Sequence, residues 1–246
     1  MADSPWIEIA ELVNHQLTAG DTAEALRVIA EAEKRIPAEV PEPGLHEVAG
    51  KLFWKHRNLA GYVLLSQERI ARLEASLPAC TDDEEWRKKI VRAIGGTHYN
   101  LSSFCWPGWD EPGINVTEEQ ARLGAEAAAR CVEIRTDPSF AGFPFGYTPS
   151  MAYWAMGAYR LLERNYLAAH ADFDHCIDLD RRAGVSDHLS RGYSLLTHVL
   201  ESPGDADADS AFQALLAELD ARTDDEDAPF IKGQLVTARS YFERTA

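Results

Sequence analysis

The sequence predicts an all-α protein, and three observations support this. Apolar residues recur at steps of three and four along most of the chain, and Trp6, Ile9, Val13 and Leu17 in the first segment lie on one face of a helix. Glycine, proline and Asx residues separate these segments at short intervals, as turns between helices require. Alternation of apolar and polar residues, which would indicate a strand, is absent outside the predicted loops.

The first half of the chain carries three predicted pairs of helices. Pro37 ends the first pair, and Pro78 ends the second. The third pair opens with four acidic residues at 82–85, which suit the positive end of the helix dipole, and its second helix begins at Thr117 with Gln120 three residues later. The predicted pairs are 6–17 with 22–35, 45–55 with 59–77, and 82–105 with 117–135.

The second half carries two further pairs and one single helix. Asn165 marks the turn inside the fourth pair. Acidic runs at 205–209 and 224–227 fall at turns that precede helices, where solvation and capping explain them. The predicted helices are 150–164 with 166–182, 186–201 with 209–222, and 229–243 alone.

Composition excludes several classes of protein. The chain has 246 residues, 46% of them hydrophobic, so it is too apolar to be wholly disordered. Its 24 basic and 40 acidic side chains give a net charge of −16, which disfavours nucleic acid as a partner. No apolar run is long enough to span a bilayer, and the first residues do not resemble a signal peptide. Four widely spaced cysteines fit a reducing, cytoplasmic setting.

The fourth pair resembles a tetratricopeptide (TPR) repeat over the segment MAYWAMGAYRLLERNYLAAHADFDHCIDLD. Tyr153, Met156 and Gly157 stand at first-helix positions of the family pattern. Ala169 and Phe173 match its A-x3-F element. Small residues are expected at Gly157 and Ala169 because two helices cross closely there, and Phe173 is expected to fill the space between hairpins.

Weaker copies of this pattern cover most of the remaining chain. The resemblance therefore implies one domain over residues 1–246, folded as a TPR-like α-solenoid of about five helical hairpins plus a C-terminal capping helix. A compact, irregular helical bundle is the alternative, and it would have no superhelical groove.

The resemblance also implies a concave ligand-binding face built from first helices. Some TPR domains hold a peptide carboxylate there with basic and amide side chains. Here Ala10, Met151 and Ala155 stand where basic residues would be, so such a clamp is not expected at those positions. The predicted ligand-binding residues are Asn14, His98, Tyr99, Asn100, Ser103, Trp106, Trp109, Met151 and Trp154.

Two aromatic loops are the other distinctive feature. Residues 104–116 contain Trp106 and Trp109, and residues 139–149 contain three phenylalanines and a tyrosine. With Trp154 they could wall an aromatic pocket, which would suit an apolar or aromatic ligand or a cation. The alternative is that both loops fold back and become part of the core.

No catalytic, cofactor or metal motif was found. The common hydrolase, phosphate-binding and dinucleotide-binding motifs are absent. His170 and Asp174 share a helix face, but a solvated surface explains that pair better than a metal. The sequence thus favours a protein- or peptide-binding adaptor with a basic or aromatic partner. A small-molecule binder or enzyme closed by loops 104–116 and 139–149 is the alternative, and self-assembly through a solenoid end is a third. The oligomeric state is not predicted.

Overall fold

The computed structural model describes residues 4–36, 40–80, 83–138 and 149–245. Within these ranges the chain is all-helical and contains no strand, and every predicted helix is present with its ends displaced by at most a few residues. The helices are α1 (Trp6–Thr18), α2 (Thr22–Glu33), α3 (Pro43–Trp54), α4 (Leu59–Ser76), α5 (Glu84–Phe104), α6 (Glu118–Thr136), α7 (Pro149–Leu162), α8 (Tyr166–Ala183), α9 (His188–Glu201), α10 (Ala206–Ala221) and α11 (Ala228–Thr245).

Local side-chain chemistry sets many of the helix starts. The side chains of Asp21, Asn58, Asp83 and Asn165 each accept a hydrogen bond from a backbone N–H in the first turn that follows. Thr117 forms the predicted capping box, in which its hydroxyl and the Gln120 side chain exchange bonds with the backbone. These bonds satisfy N–H groups that would otherwise lack a partner, so the turns define where each helix begins.

Packing follows the order of the chain. Every helix contacts the next one, from α1 against α2 through to α10 against α11. Contacts two places apart also occur, between α1 and α3, α5 and α7, α7 and α9, and α9 and α11. Among the described helices, none combines the length and the apolar character that crossing a membrane requires.

The crossing of α7 and α8 has the predicted close approach. A Cβ atom added at Gly157 would lie 2.7 Å from the Phe173 ring, so only glycine fits at this contact without a shift. Phe173 and Ala169 are completely buried. The close approach at Gly157 and the burial of Ala169 and Phe173 therefore agree with the sequence prediction for this pair.

The segment after α5 folds back into the core. Trp106 is 2% exposed and packs against Tyr159 and Phe242. Trp109 ends a short 3₁₀ helix and stacks on Trp154 with ring centroids 5.2 Å apart. Loop 104–116 thus takes the core-filling arrangement that was the alternative at the sequence level. Residues 139–148 of the second aromatic loop lie outside the described residues.

Two ion pairs hold this segment between the halves of the molecule. Glu111 pairs with Arg57, which precedes α4, at 2.6 Å. Asp110 pairs with Arg244 near the end of α11 at 2.8 Å. The α11 helix also packs directly on the short 3₁₀ helix at 107–109. The segment therefore bridges the N-terminal core around α1–α4 and the C-terminal core around α7–α11.

Candidate functional site

Four of the predicted ligand-binding residues lie largely in the interior. Trp106 and Trp154 are 2% and 1% exposed, and both belong to the C-terminal core. Tyr99 is buried in a small cluster against which Met151 packs. The ligand pocket predicted beside Trp106 and Trp154 is therefore not formed by these rings. Burying such large apolar surfaces against neighbouring helices is more favourable than exposing them to a groove.

Asn14 and His98 also lie away from any shared pocket. The Oδ1 atom of Asn14 accepts a hydrogen bond from Nδ2 of Asn58 at 2.9 Å, which ties α1 to the start of α4. Both ring nitrogens of His98 are buried and have no hydrogen-bond partner among the described residues. Burial, assisted by the nearby positive charge of Arg130, lowers the pKa of His98 to about 4.

The remaining predicted residues, Asn100, Ser103 and Trp109, line two adjoining pockets. The first, called here the cationic pocket, has a volume of about 490 Å³ between α3, α4 and α5. Its polar lining residues are His46, Glu47, Lys51, Lys55, Tyr62, Ser66, Arg69, Thr97 and Asn100.

Arg69 is the unusual member of the cationic pocket. It is only 6% exposed, yet it forms no ion pair with any described carboxylate. Its Nη1 donates to Oγ1 of Thr97 at 2.8 Å and contacts Nδ1 of His46 at 3.1 Å, and its Nη2 donates to the carbonyl oxygen of Pro41 at 3.3 Å. Its Nε is buried without a partner. Burial lowers the pKa of Arg69 to about 10, so it remains charged at neutral pH.

The charge of the pocket lining is positive in a strongly acidic protein. Three cations, Lys51, Lys55 and Arg69, face one carboxylate, that of Glu47. Lys51 and Glu47 pair at 3.3 Å, and Lys55 pairs outward with Glu11. Arg69 is the cation of the lining that has no ion-pair partner, although the carboxylates of Glu33 and Glu42 act on its charge from outside the lining. A buried guanidinium without an ion-pair partner is suited to receive a carboxylate or a phosphate.

The second pocket, called here the aromatic pocket, has a volume of about 370 Å³. Phe104 lines it and stacks on Phe53 with ring centroids 4.2 Å apart. Trp54 meets Phe104 edge to face at 5.4 Å. Trp54 and Phe230 are 55% and 65% exposed, which is unusual for rings of this size. Trp54 and Phe104 line both pockets, so the two pockets adjoin at these rings.

A larger cavity of about 600 Å³ lies between α7, α9, α10 and α11. Its three carboxylates outnumber its two arginines. Arg239 is already paired with Asp209 and Glu243, at 2.7 Å in each case. Size alone would favour this cavity, but its lining is net negative and Arg239 is already paired, so it offers an anionic ligand less than the cationic pocket does.

The sequence prediction missed Arg69, His46, Lys51 and Lys55. One signal for Arg69 was present in the sequence. It occupies the apolar stripe of α4, between the buried residues Leu65 and Leu73 at four-residue spacing. A cation on a buried helix face is rare unless it meets a partner or a ligand. Comparison with models of protein families, with curated proteins and with solved structures gave no match.

Proposed function

We propose that the protein is a binding adaptor of TPR-like helical-repeat architecture that holds a protein or peptide segment in the groove formed by the cationic and aromatic pockets. The solenoid proposal is supported by the packing of each helix from α1 to α10 on the helix that follows it and by the close crossing of α7 and α8 at Gly157.

The observation that carries the proposal is the buried guanidinium of Arg69, which forms no ion pair with any described carboxylate. Removing a guanidinium from water is costly unless hydrogen bonds and an opposite charge replace the lost hydration. Thr97, His46 and Pro41 supply part of the hydrogen bonding but no negative charge. A carboxylate entering the pocket would supply that charge, and Asn100 offers an amide beside it.

The aromatic pocket defines the second part of the ligand. Because Trp54 and Phe104 are shared, a side chain next to the bound carboxylate would reach the aromatic pocket directly. The best-suited ligand is a peptide segment with a carboxylate beside a large apolar side chain.

This ligand differs from the partner expected from the sequence, which was basic or aromatic. Acidic runs on the exterior suggested a basic partner, but the groove itself presents cations. The clamp positions of the family pattern remain without basic residues, since the cations here come from α3 and α4. The aromatic part of the expectation is retained in the proposal.

A peptide-binding experiment tests the proposal. We expect the protein to select, from a displayed library of random hexapeptides, sequences that place Asp, Glu or a free C-terminus beside an aromatic or large aliphatic residue. Fluorescence anisotropy with a selected peptide should show at least a tenfold loss of affinity, about 1.4 kcal/mol, for Arg69→Gln and for Trp54→Ala.

The matched control is Arg27→Gln, since Arg27 is an exposed arginine on α2. It should bind like the wild type. Arg69→Gln could disturb folding, so Lys51→Gln is tested as a second variant of the pocket that leaves the core intact. Circular dichroism shows whether both variants are folded. Selection of peptides without any acidic group, or equal affinities for all four variants, would refute the proposal.

A further inference from the structure

We propose that α8 and α9 together form a binding site for a divalent transition-metal ion, with His170, His198 and Glu201 as ligands. This site is separate from the groove. The groove is lined by α3, α4, α5 and α11, together with the segment that follows α5. No metal site is expected from the sequence, in which His170 shares its helix face with Asp174.

The three side chains converge from two packed helices. His198 and Glu201 lie three residues apart on α9 and therefore occupy the same face. His170 reaches them from α8, and its Nε2 lies 3.2 Å from a carboxylate oxygen of Glu201. The imidazole rings of His170 and His198 have centroids 4.1 Å apart. One potential ligand atom from each residue lies within 4.8 Å of the other two.

The donor set selects the class of ion. Two imidazole nitrogens and one carboxylate oxygen suit Zn²⁺, Co²⁺, Ni²⁺ or Cu²⁺, whereas Mg²⁺ and Ca²⁺ prefer oxygen ligands alone. Zinc binds nitrogen at about 2.0–2.1 Å, so tetrahedral ligand atoms are about 3.4 Å apart. Small rotations of the three side chains would therefore bring their ligand atoms to the distances that an ion requires. Three protein ligands leave a fourth position for water or another ligand.

The site is also reachable from solvent. The side chains of His170 and Glu201 are 18% and 46% exposed, and His198 is an exposed residue. An ion can thus enter without opening the core, and the net charge of −16 favours a cation near the surface. Because the ligands belong to separate helices, a bound ion would link α8 to α9 and stabilise the folded protein.

The test uses the full chain without an affinity tag, and Co²⁺ and Zn²⁺ are the probes. One equivalent of Co²⁺ should produce visible absorption bands typical of four or five ligands. Zn²⁺ should displace Co²⁺, bind with one-to-one stoichiometry by calorimetry, and raise the melting temperature. Mg²⁺ should do none of these.

His198→Ala and Glu201→Gln change exposed side chains and should each weaken Zn²⁺ binding at least tenfold and remove the thermal shift. His15→Ala is the matched control, since His15 is an exposed histidine near the end of α1. It should behave like the wild type. Equal Zn²⁺ affinity in the wild type and in His198→Ala, or a Co²⁺ spectrum of a six-coordinate ion, would overturn the proposal.

Discussion

His98 provides a quantitative test of the interior of the protein. Both of its ring nitrogens are buried without hydrogen-bond partners among the described residues, and its pKa is lowered to about 4. Replacing it with leucine, which has a similar volume, removes two unsatisfied polar atoms. His98→Leu should therefore raise the free energy of unfolding by about 1 kcal/mol at neutral pH.

The pH dependence follows from the direction of the shift. An unfolded chain holds His98 at an ordinary pKa of about 6.5, so below that pH the unfolded state binds more protons than the folded state, and the wild type loses stability as the pH falls towards 4. Between about pH 7.5 and about pH 5.5 this loss amounts to about 1.3 kcal/mol. His98→Leu lacks the imidazole and should not show this loss of stability.

Urea unfolding followed by circular dichroism at several pH values provides the measurement. The lower limit of pH stays above the pI of about 4.9, where solubility falls. The difference in unfolding free energy between His98→Leu and the wild type should grow by about 1.3 kcal/mol as the pH falls from about 7.5 to about 5.5. A constant difference, or one that shrinks, would refute the argument that burial keeps the imidazole neutral.

Three further outcomes are expected from other parts of the fold. Gly157→Ala should lower the free energy of unfolding in urea by about 1–3 kcal/mol, because the added methyl group meets an aromatic ring. Gly96→Ala should raise it by about 0.5–1 kcal/mol, because open space surrounds that position. Equal effects of the two substitutions would contradict the packing at Gly157. Iodoacetamide should modify native protein at Cys80 first, since burial raises the pKa of the other three thiols, and mass spectrometry of digests would reveal any other order. A double-mutant cycle on Asp110 and Arg244, both about half exposed, should give a coupling of about 0.2–1 kcal/mol in thermal unfolding, and zero coupling would exclude a stabilising pair.

The helices could be predicted from the sequence because their causes are local. Apolar periodicity, the Thr117 capping box and the turn at Asn165 each act within a few residues, and the structure confirms them. The crossing at Gly157 was predictable because the repeat pattern carries a packing rule. These features need no knowledge of how distant parts of the chain meet.

The candidate groove could not be predicted in the same way. Trp106 was expected to face a ligand, but its partners Tyr159 and Phe242 lie far along the chain, so its burial is a tertiary property. The cationic pocket depends on Lys51 and Arg69 converging from α3 and α4. Their spacing in sequence carries no sign of this convergence, although an arginine on the buried stripe of α4 is visible in the sequence.

The bridge made by the segment after α5 has a consequence for synthesis of the protein. Asp110 and Arg244 are 134 residues apart, and Phe242, which packs on Trp106, belongs to the same last helix. Translation proceeds from the N-terminus, so Trp106 emerges long before α11 can cover it. The side of the indole that Phe242 covers therefore stays exposed until α11 has been made, and such transiently exposed apolar surface favours aggregation.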